Sequence, residues 1–135
     1  MITVVSGPPC GGKSTFVREY AGSGDIVIDM DNLALALTTD DVDSHDYSPE
    51  VRQVARAARK AAVAEAMRVS QIARSNVWII HTDPSPEWKR RYRVFNARFE
   101  VVDPGKDECL RRLESRPQAN HKLVRLVLEK YYAGR

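Results

Sequence analysis

Lys13 and Ser14 close the run Gly7-Pro8-Pro9-Cys10-Gly11-Gly12-Lys13-Ser14, which has the pattern G-x-x-x-x-G-K-[ST]. These residue types at this spacing suit one task, the holding of a phosphate chain. The glycines let successive main-chain N–H groups turn toward anionic oxygens. Lys13 adds a mobile charge for β- and γ-phosphates, and Ser14 adds a hydroxyl for Mg²⁺. The pattern carries this meaning when a strand enters it and a helix leaves it. Ile2-Thr3-Val4-Val5 is a β-rich apolar segment, and Thr15-Phe16-Val17-Arg18-Glu19-Tyr20 has helical character. The helix N-terminus adds its positive dipole end. Cys10 lies inside the loop and is read as a space-filler rather than a nucleophile.

Phosphate binding alone does not choose a reaction, and two further groups of residues bear on it. Asp29 and Asp31 close a second apolar segment, Asp25–Asp29. If the strand persists, alternation puts both carboxylates on one side. One can then hold a water of the magnesium shell while the other accepts a proton from an attacking hydroxyl. The plain alternative is a polar strand end in which Asp31 caps the next helix. Arg111, Arg112 and Arg116 lie along a short helix that runs up to a break at Pro117. Guanidinium forks suit the equatorial oxygens of a phosphoryl group in transfer; a basic helix end stabilised by the helix dipole is the alternative. The third apolar segment ends in His81-Thr82-Asp83 and supplies no water-activating glutamate. That favours transfer to a hydroxyl over ATP hydrolysis.

The elements that must position these groups follow from periodicity. Strands are expected at Ile2–Val5, Asp25–Asp29, Asn76–His81 and Arg98–Val102. Ser48-Pro49-Glu50 is a helix start, with Ser48 as N-cap and Pro49 in the first turn, and the helix runs to about Ser75. Its apolar stripe is read as Val51, Ala55, Ala58, Ala62, Ala66, Val69 and Ala73, and its basic face as Arg52, Arg56, Arg59 and Lys60. That basic face is read as solvated, with polyphosphate binding as the alternative. Further helices are expected from Pro84 to about Asn96, over Lys106–Ser115 and over His121–Tyr132, the last with Leu123, Leu126 or Val127, and Tyr131 on one face. Residues 38–49 read as an acidic loop or lid edge. Alternating strands and helices imply an α/β fold with a parallel sheet covered on both faces. Active groups then gather at the carboxyl ends of the strands.

The chain of 135 residues, 43% hydrophobic and 29% charged with net charge +3, has room for one domain, residues 1–135. A pI near 9.0 is compatible with a nucleotide or nucleic-acid partner without requiring one. No apolar run approaches the ~20 residues that span a bilayer. With the first strand starting so early, no export signal is expected, and Cys10 and Cys109 are too few for a disulfide framework. Reduced thiols and a cytoplasmic location are expected.

Taken together, the chain resembles the polynucleotide-kinase type of small P-loop kinases, the phage T4-type kinase domains in particular, within the group that also holds the zeta-type toxins. The resemblance runs through the P-loop, the Asp29-Met30-Asp31-Asn32 stretch, the turn Thr82-Asp83-Pro84-Ser85-Pro86-Glu87, Val102-Asp103, and Glu108-Cys109-Leu110-Arg111-Arg112-Leu113-Glu114-Ser115-Arg116. It implies a P-loop NTPase fold: a three-layer sandwich around four parallel strands in the order 2-3-1-4, with a short arginine-bearing lid. It implies ATP, or another nucleoside triphosphate, with Mg²⁺. Gly7 through Thr15, that is Gly7, Pro8, Pro9, Cys10, Gly11, Gly12, Lys13, Ser14 and Thr15, would bind the nucleotide together with Arg112 and Arg116. Ser14 and Asp29 would stand at the metal. Lys13, Asp31 as general base and Arg116 as lid arginine would be catalytic. The Asp-x-Asp of adenylylsulfate and shikimate kinases gives Asp31 the same role.

The implied acceptor is a hydroxyl of a nucleotide or nucleic acid, either a polynucleotide 5′-hydroxyl or a hydroxymethyl-pyrimidine in DNA. A small-molecule acceptor, as in chloramphenicol phosphotransferases, is the alternative, and a non-catalytic nucleotide-binding module is the alternative of another class. One departure bears on this choice. Ala34 stands where the family has an acceptor-side arginine, so that Arg52 or Arg56 would have to substitute. His81 stands where an acidic residue is expected and is read as an ordinary hydrogen-bonded strand-end histidine. Kinases this small are frequent in phage genomes, which implies the host cytoplasm. The oligomeric state is left open.

Overall fold

The computed structural model describes residues 1–39, 47–116 and 121–135. Four strands, β1 (Ile2–Ser6), β2 (Ile26–Ile28), β3 (Val77–Ile80) and β4 (Arg98–Val101), form one sheet in the order β2-β3-β1-β4, and every neighbouring pair is parallel. The expected strand order and fold class are therefore observed. Each strand is within about two residues of its sequence reading, the usual scale of boundary error.

Side-chain alternation along the strands divides the interior in two. Ile2 and Val4 of β1, with Val77 and Ile79 of β3, meet Val63, Ala66 and Met67 of α3 (Pro49–Ala73) and Tyr92 of α4 (Pro86–Val94). On the opposite face Val5 and Ile80 meet Val17 of α1 (Lys13–Tyr20). Helices thus cover both faces of the central strands, giving three layers. A third cluster, Cys10, Cys109, Leu113 and Leu128, ties the phosphate loop to α5 (Lys106–Glu114) and α6 (His121–Tyr132).

Local chemistry explains the helix starts. Ser48 Oγ accepts from Val51 N–H at the head of α3, and Ser85 Oγ accepts from Trp88 N–H at the head of α4; each helix has Pro in its first turn. Arg74, in the left-handed conformation, ends α3.

Three expectations are corrected. The buried face of α3 is Ala55, Val63, Ala66, Met67 and Ser70, while Ala73 of the expected stripe is exposed. An alanine-rich helix offers several small-residue stripes, and the sheet selects the one carrying the larger Val63 and Met67. On α6 the buried residues are Leu128 and Tyr131, with Val124 packed beside them; Leu123, Leu126 and Val127 are exposed. The sheet is also not covered evenly. Edge strand β4 leaves Phe99 and Val101 exposed. The expected lid-edge loop lies largely in residues 40–46, and the break after Arg116 lies in residues 117–120, both outside the described residues.

Candidate active site

The loop after β1 is held by main chain. Gly7 N–H donates to Thr82 O at 3.0 Å and Gly11 N–H to Pro8 O at 3.0 Å. Gly7 is required by packing as well as by its φ of +147°, because a Cβ there would lie 2.0 Å from the carbonyl oxygen of Val102. Gly12, at φ +95°, precedes α1. Cys10 adopts φ 61° and sends its side chain into the α5–α6 cluster. Pro8 is buried and Pro9 half-buried, so Cys10 and the two prolines act as packing. The α1 N-terminus has no side-chain cap, which leaves its first N–H groups available to an anion.

Lys13 is buried, and its ammonium donates to Gly7 O at 2.8 Å and Pro8 O at 2.7 Å. Burial pushes its pKa down to about 8, against the carboxylates of Asp29 and Asp31, which raise it. A phosphate at the loop would restore the charge. Ser14 and Thr15, by contrast, are exposed at the start of α1.

Asp29 and Asp31 are not neighbours on a strand. β2 ends at Ile28, Asp29 is the N-cap of α2 (Met30–Ala36), and Asp31 lies in that helix's first turn. The expected alternation is corrected, and so is its alternative: the capping residue is Asp29, whose Oδ1 accepts from Asp31 N–H at 3.2 Å. The other oxygen, Oδ2, accepts from Ser14 Oγ at 3.4 Å. Burial, then the nearby Asp31 charge, raises the Asp29 pKa. A cation between Ser14 and Asp29 would oppose both effects. Among the described residues no group of three or more His, Cys, Asp or Glu is placed to hold a metal. One hydroxyl and one carboxylate fit Mg²⁺, which takes few protein oxygens and fills its shell with phosphate and water.

Asp31 Oδ1 accepts from the Tyr47 hydroxyl at 2.7 Å. Burial and that bond raise the tyrosine's pKa. Tyr47 was not singled out in the sequence; the one available signal was an aromatic residue inside an acidic stretch, directly before the Ser48 cap.

Arg112 bridges Glu108 Oε1 (Nε, 3.0 Å) and Cys10 O (Nη1, 3.1 Å), so it rests on the phosphate loop. The same Nη1 is 3.4 Å from where a Gly12 Cβ would be. Arg111 instead pairs with Glu108 on the exposed side of α5. Arg116 follows α5, and its carbonyl lies 3.1 Å from His121 Nε2. Its charge reaches the loop: burial raises the Cys10 pKa, and the charges of Arg116, Lys13 and Arg112, in that order, oppose the rise. Three cations therefore surround the loop.

Ala34 is completely buried. His81 Nδ1 is 2.9 Å from the Tyr92 hydroxyl, and its ring meets Trp88 and Tyr92 edge-on. Burial, then the Arg59 charge, pushes its pKa down to about 4, so it is a neutral packing residue. Asp83 pairs with Arg135 at 3.0 Å. Among the described residues, no helix is long and apolar enough to cross a membrane.

A family model described as an AAA domain, AAA_33, matches residues 2–134. No curated protein matches. Among solved structures, a chain from the "Structure of Pnkp1/Rnl/Hen1 complex" shares the fold with a TM-score of 0.59 at 21% identity, over 87% of this chain. The match spans only 40% of that longer chain.

Proposed function

The chain belongs to the AAA_33 family of AAA domains, and on that premise we propose that it is an ATP–Mg²⁺-dependent kinase whose acceptor is a hydroxyl of a nucleotide or nucleic acid. A P-loop kinase fold implies a nucleoside triphosphate partner. The observation that carries the reading is the gathering of Lys13, Ser14, Asp29, Asp31 and Arg112 around the end of β1 and the head of α2.

In the proposed reaction the loop N–H groups and Lys13 hold the β- and γ-phosphates of ATP, and Arg112 and Arg116 add charge from the α5 side. Ser14 and Asp29 would hold Mg²⁺, which would supply charge neutralisation on the phosphate oxygens. The acceptor hydroxyl takes the position beside Asp31 that the Tyr47 hydroxyl occupies in this structure. Its oxygen forms a bond to the γ-phosphorus as the bridging oxygen–phosphorus bond breaks. The proton passes to the Asp31 carboxylate, and ADP leaves. No glutamate is proposed to activate water, so the hydroxyl is the expected nucleophile. The fold shared with a chain of a Pnkp1/Rnl/Hen1 complex agrees with a nucleic-acid-related acceptor.

The direct test is transfer of labelled γ-phosphate from ATP–Mg²⁺ to 5′-hydroxyl DNA and RNA, hydroxymethyl-pyrimidine DNA, nucleotides and nucleosides, with Asp31→Asn as control. Label on one acceptor, lost in the variant, supports the reading. ATP binding without transfer to any of them overturns it and leaves a small-molecule acceptor or a non-catalytic nucleotide switch.

A further inference from the structure

Beside Asp31 a cleft of about 800 Å³ is lined by Tyr47, Ser48, Pro49, Arg52, Gln53, Arg56 and Leu123. Tyr47 connects it to the site, since one side chain both lines the cleft and donates to the Asp31 carboxylate at 2.7 Å. The Arg52 guanidinium lies 5.4 Å from the centre of the Tyr47 ring. At that distance the cation and the ring attract one another without using a hydrogen bond. Arg52 Nε is shielded from solvent and has no hydrogen-bond partner among the described residues. A buried charged donor without a partner is costly and rare. Arg56 follows one helical turn later on the same face of α3 and is exposed.

We infer that this cleft is the acceptor side of the site, and that Arg52 and Arg56 bind a phosphate ester next to the acceptor hydroxyl. The acceptor class is then a phosphate-bearing nucleotide or strand rather than an uncharged alcohol. This deepens the kinase reading and rests on it. The anion would satisfy Arg52 Nε, and a guanidinium fork matches phosphate geometry.

Binding without turnover tests the cleft separately from the chemistry. The probe is a 5′-hydroxyl trinucleotide labelled at its 3′ end and read by fluorescence anisotropy with the full chain. Its methylphosphonate analogue, which lacks the backbone charge, a mononucleotide and a nucleoside serve as competitors. The wild-type protein is expected to prefer the charged trinucleotide to the methylphosphonate. Arg52→Gln and Arg56→Gln are each expected to weaken trinucleotide binding by about tenfold or more and to erase that preference, with ATP affinity and Tm unchanged. Competition by the mononucleotide as strong as by the trinucleotide assigns the phosphate to a free nucleotide; competition by the trinucleotide alone assigns it to a strand. Wild-type protein indifferent to backbone charge, or variants that bind the trinucleotide as the wild type does, overturn the proposal. Normal binding with no phosphate transfer would instead overturn the kinase reading and leave the cleft standing.

Discussion

The two sides of the proposed site are built from different materials. The donor side, Gly7 to Ser14, is mostly main chain: glycines at positive φ, N–H groups anchored by Thr82 O and Pro8 O, and a carbonyl of β4's end pressed against Gly7. The acceptor side is all side chain, namely Asp31, Tyr47, Arg52 and Arg56, drawn from α2, the segment before α3, and α3 itself. A main-chain site constrains which residues fit at each step of the loop. A side-chain site constrains only which groups arrive in space. On the proposed reading the donor side is preorganised by its main chain, while the acceptor side depends only on which side chains meet in space.

The largest effect is expected on the donor side. Lys13→Ala removes the one buried cation in the loop and is expected to lower kcat/KM about a thousandfold, with weaker ATP binding by calorimetry. Gly7→Ala is expected to abolish ATP binding, because its Cβ would lie 2.0 Å from the carbonyl oxygen of Val102, a residue tied to β1 by its N–H donating to Ser6 O. Full turnover in either variant breaks the account of the loop. On the acceptor side, Asp31→Asn is expected to cut kcat about a hundredfold while ATP affinity stays nearly constant, since a general base acts mainly in the transition state. Lost ATP affinity with normal kcat would move Asp31 to the donor side and erase the division.

The pH dependence sharpens the contrast. Burial pushes the Lys13 pKa down to about 8, and a bound phosphate would raise it. ATP affinity is expected to be flat below about pH 8 and to fall above it, approaching about tenfold per pH unit. Fold stability moves the other way. The unfolded lysine, near its ordinary 10.5, binds the proton that the folded one gives up, so the protein assayed without nucleotide gains stability as pH rises from about 8 toward 10.5. Opposite slopes for ATP affinity and for Tm over that window are the signature. Parallel slopes would place the titrating group elsewhere.

The same division explains what could be read from the sequence. The P-loop, all four strands and the cap of α3 were legible, because glycine spacing, apolar runs and a Ser-Pro start are local chemistry; the Ser85 cap of α4 follows the same chemistry but was not singled out. The geometry of Asp29 and Asp31 was not. A strand continued through Asp29 and a helix capped by it satisfy the same residues, and the cap prevails because Asp29 can accept the Asp31 N–H. Tyr47 was missed because its partner is sixteen residues away. The buried faces of α3 and α6 were misread because small or evenly spread apolar residues give helical periodicity in more than one direction, and only the packed neighbours decide between them.

The smallest expected effect tests how narrowly the donor side is drawn, using two adjacent residues. Arg111 and Arg112 both pair with Glu108, and composition does not tell them apart. Arg112 also donates to Cys10 O and lies over Gly12, whereas Arg111 points to solvent. Arg112→Ala is expected to lower ATP affinity about tenfold, the loss of one charge-assisted contact beside the loop. Arg111→Ala should leave ATP affinity, kcat and Tm unchanged, because an exposed ion pair on a helix surface contributes little. Equal losses in both would mean that the basic end of α5 acts through its net charge, and that the contact to Cys10 O has no part in shaping the loop. A loss confined to Arg112 would extend the main-chain character of the donor side to its lid, where a side chain acts by holding a carbonyl in place.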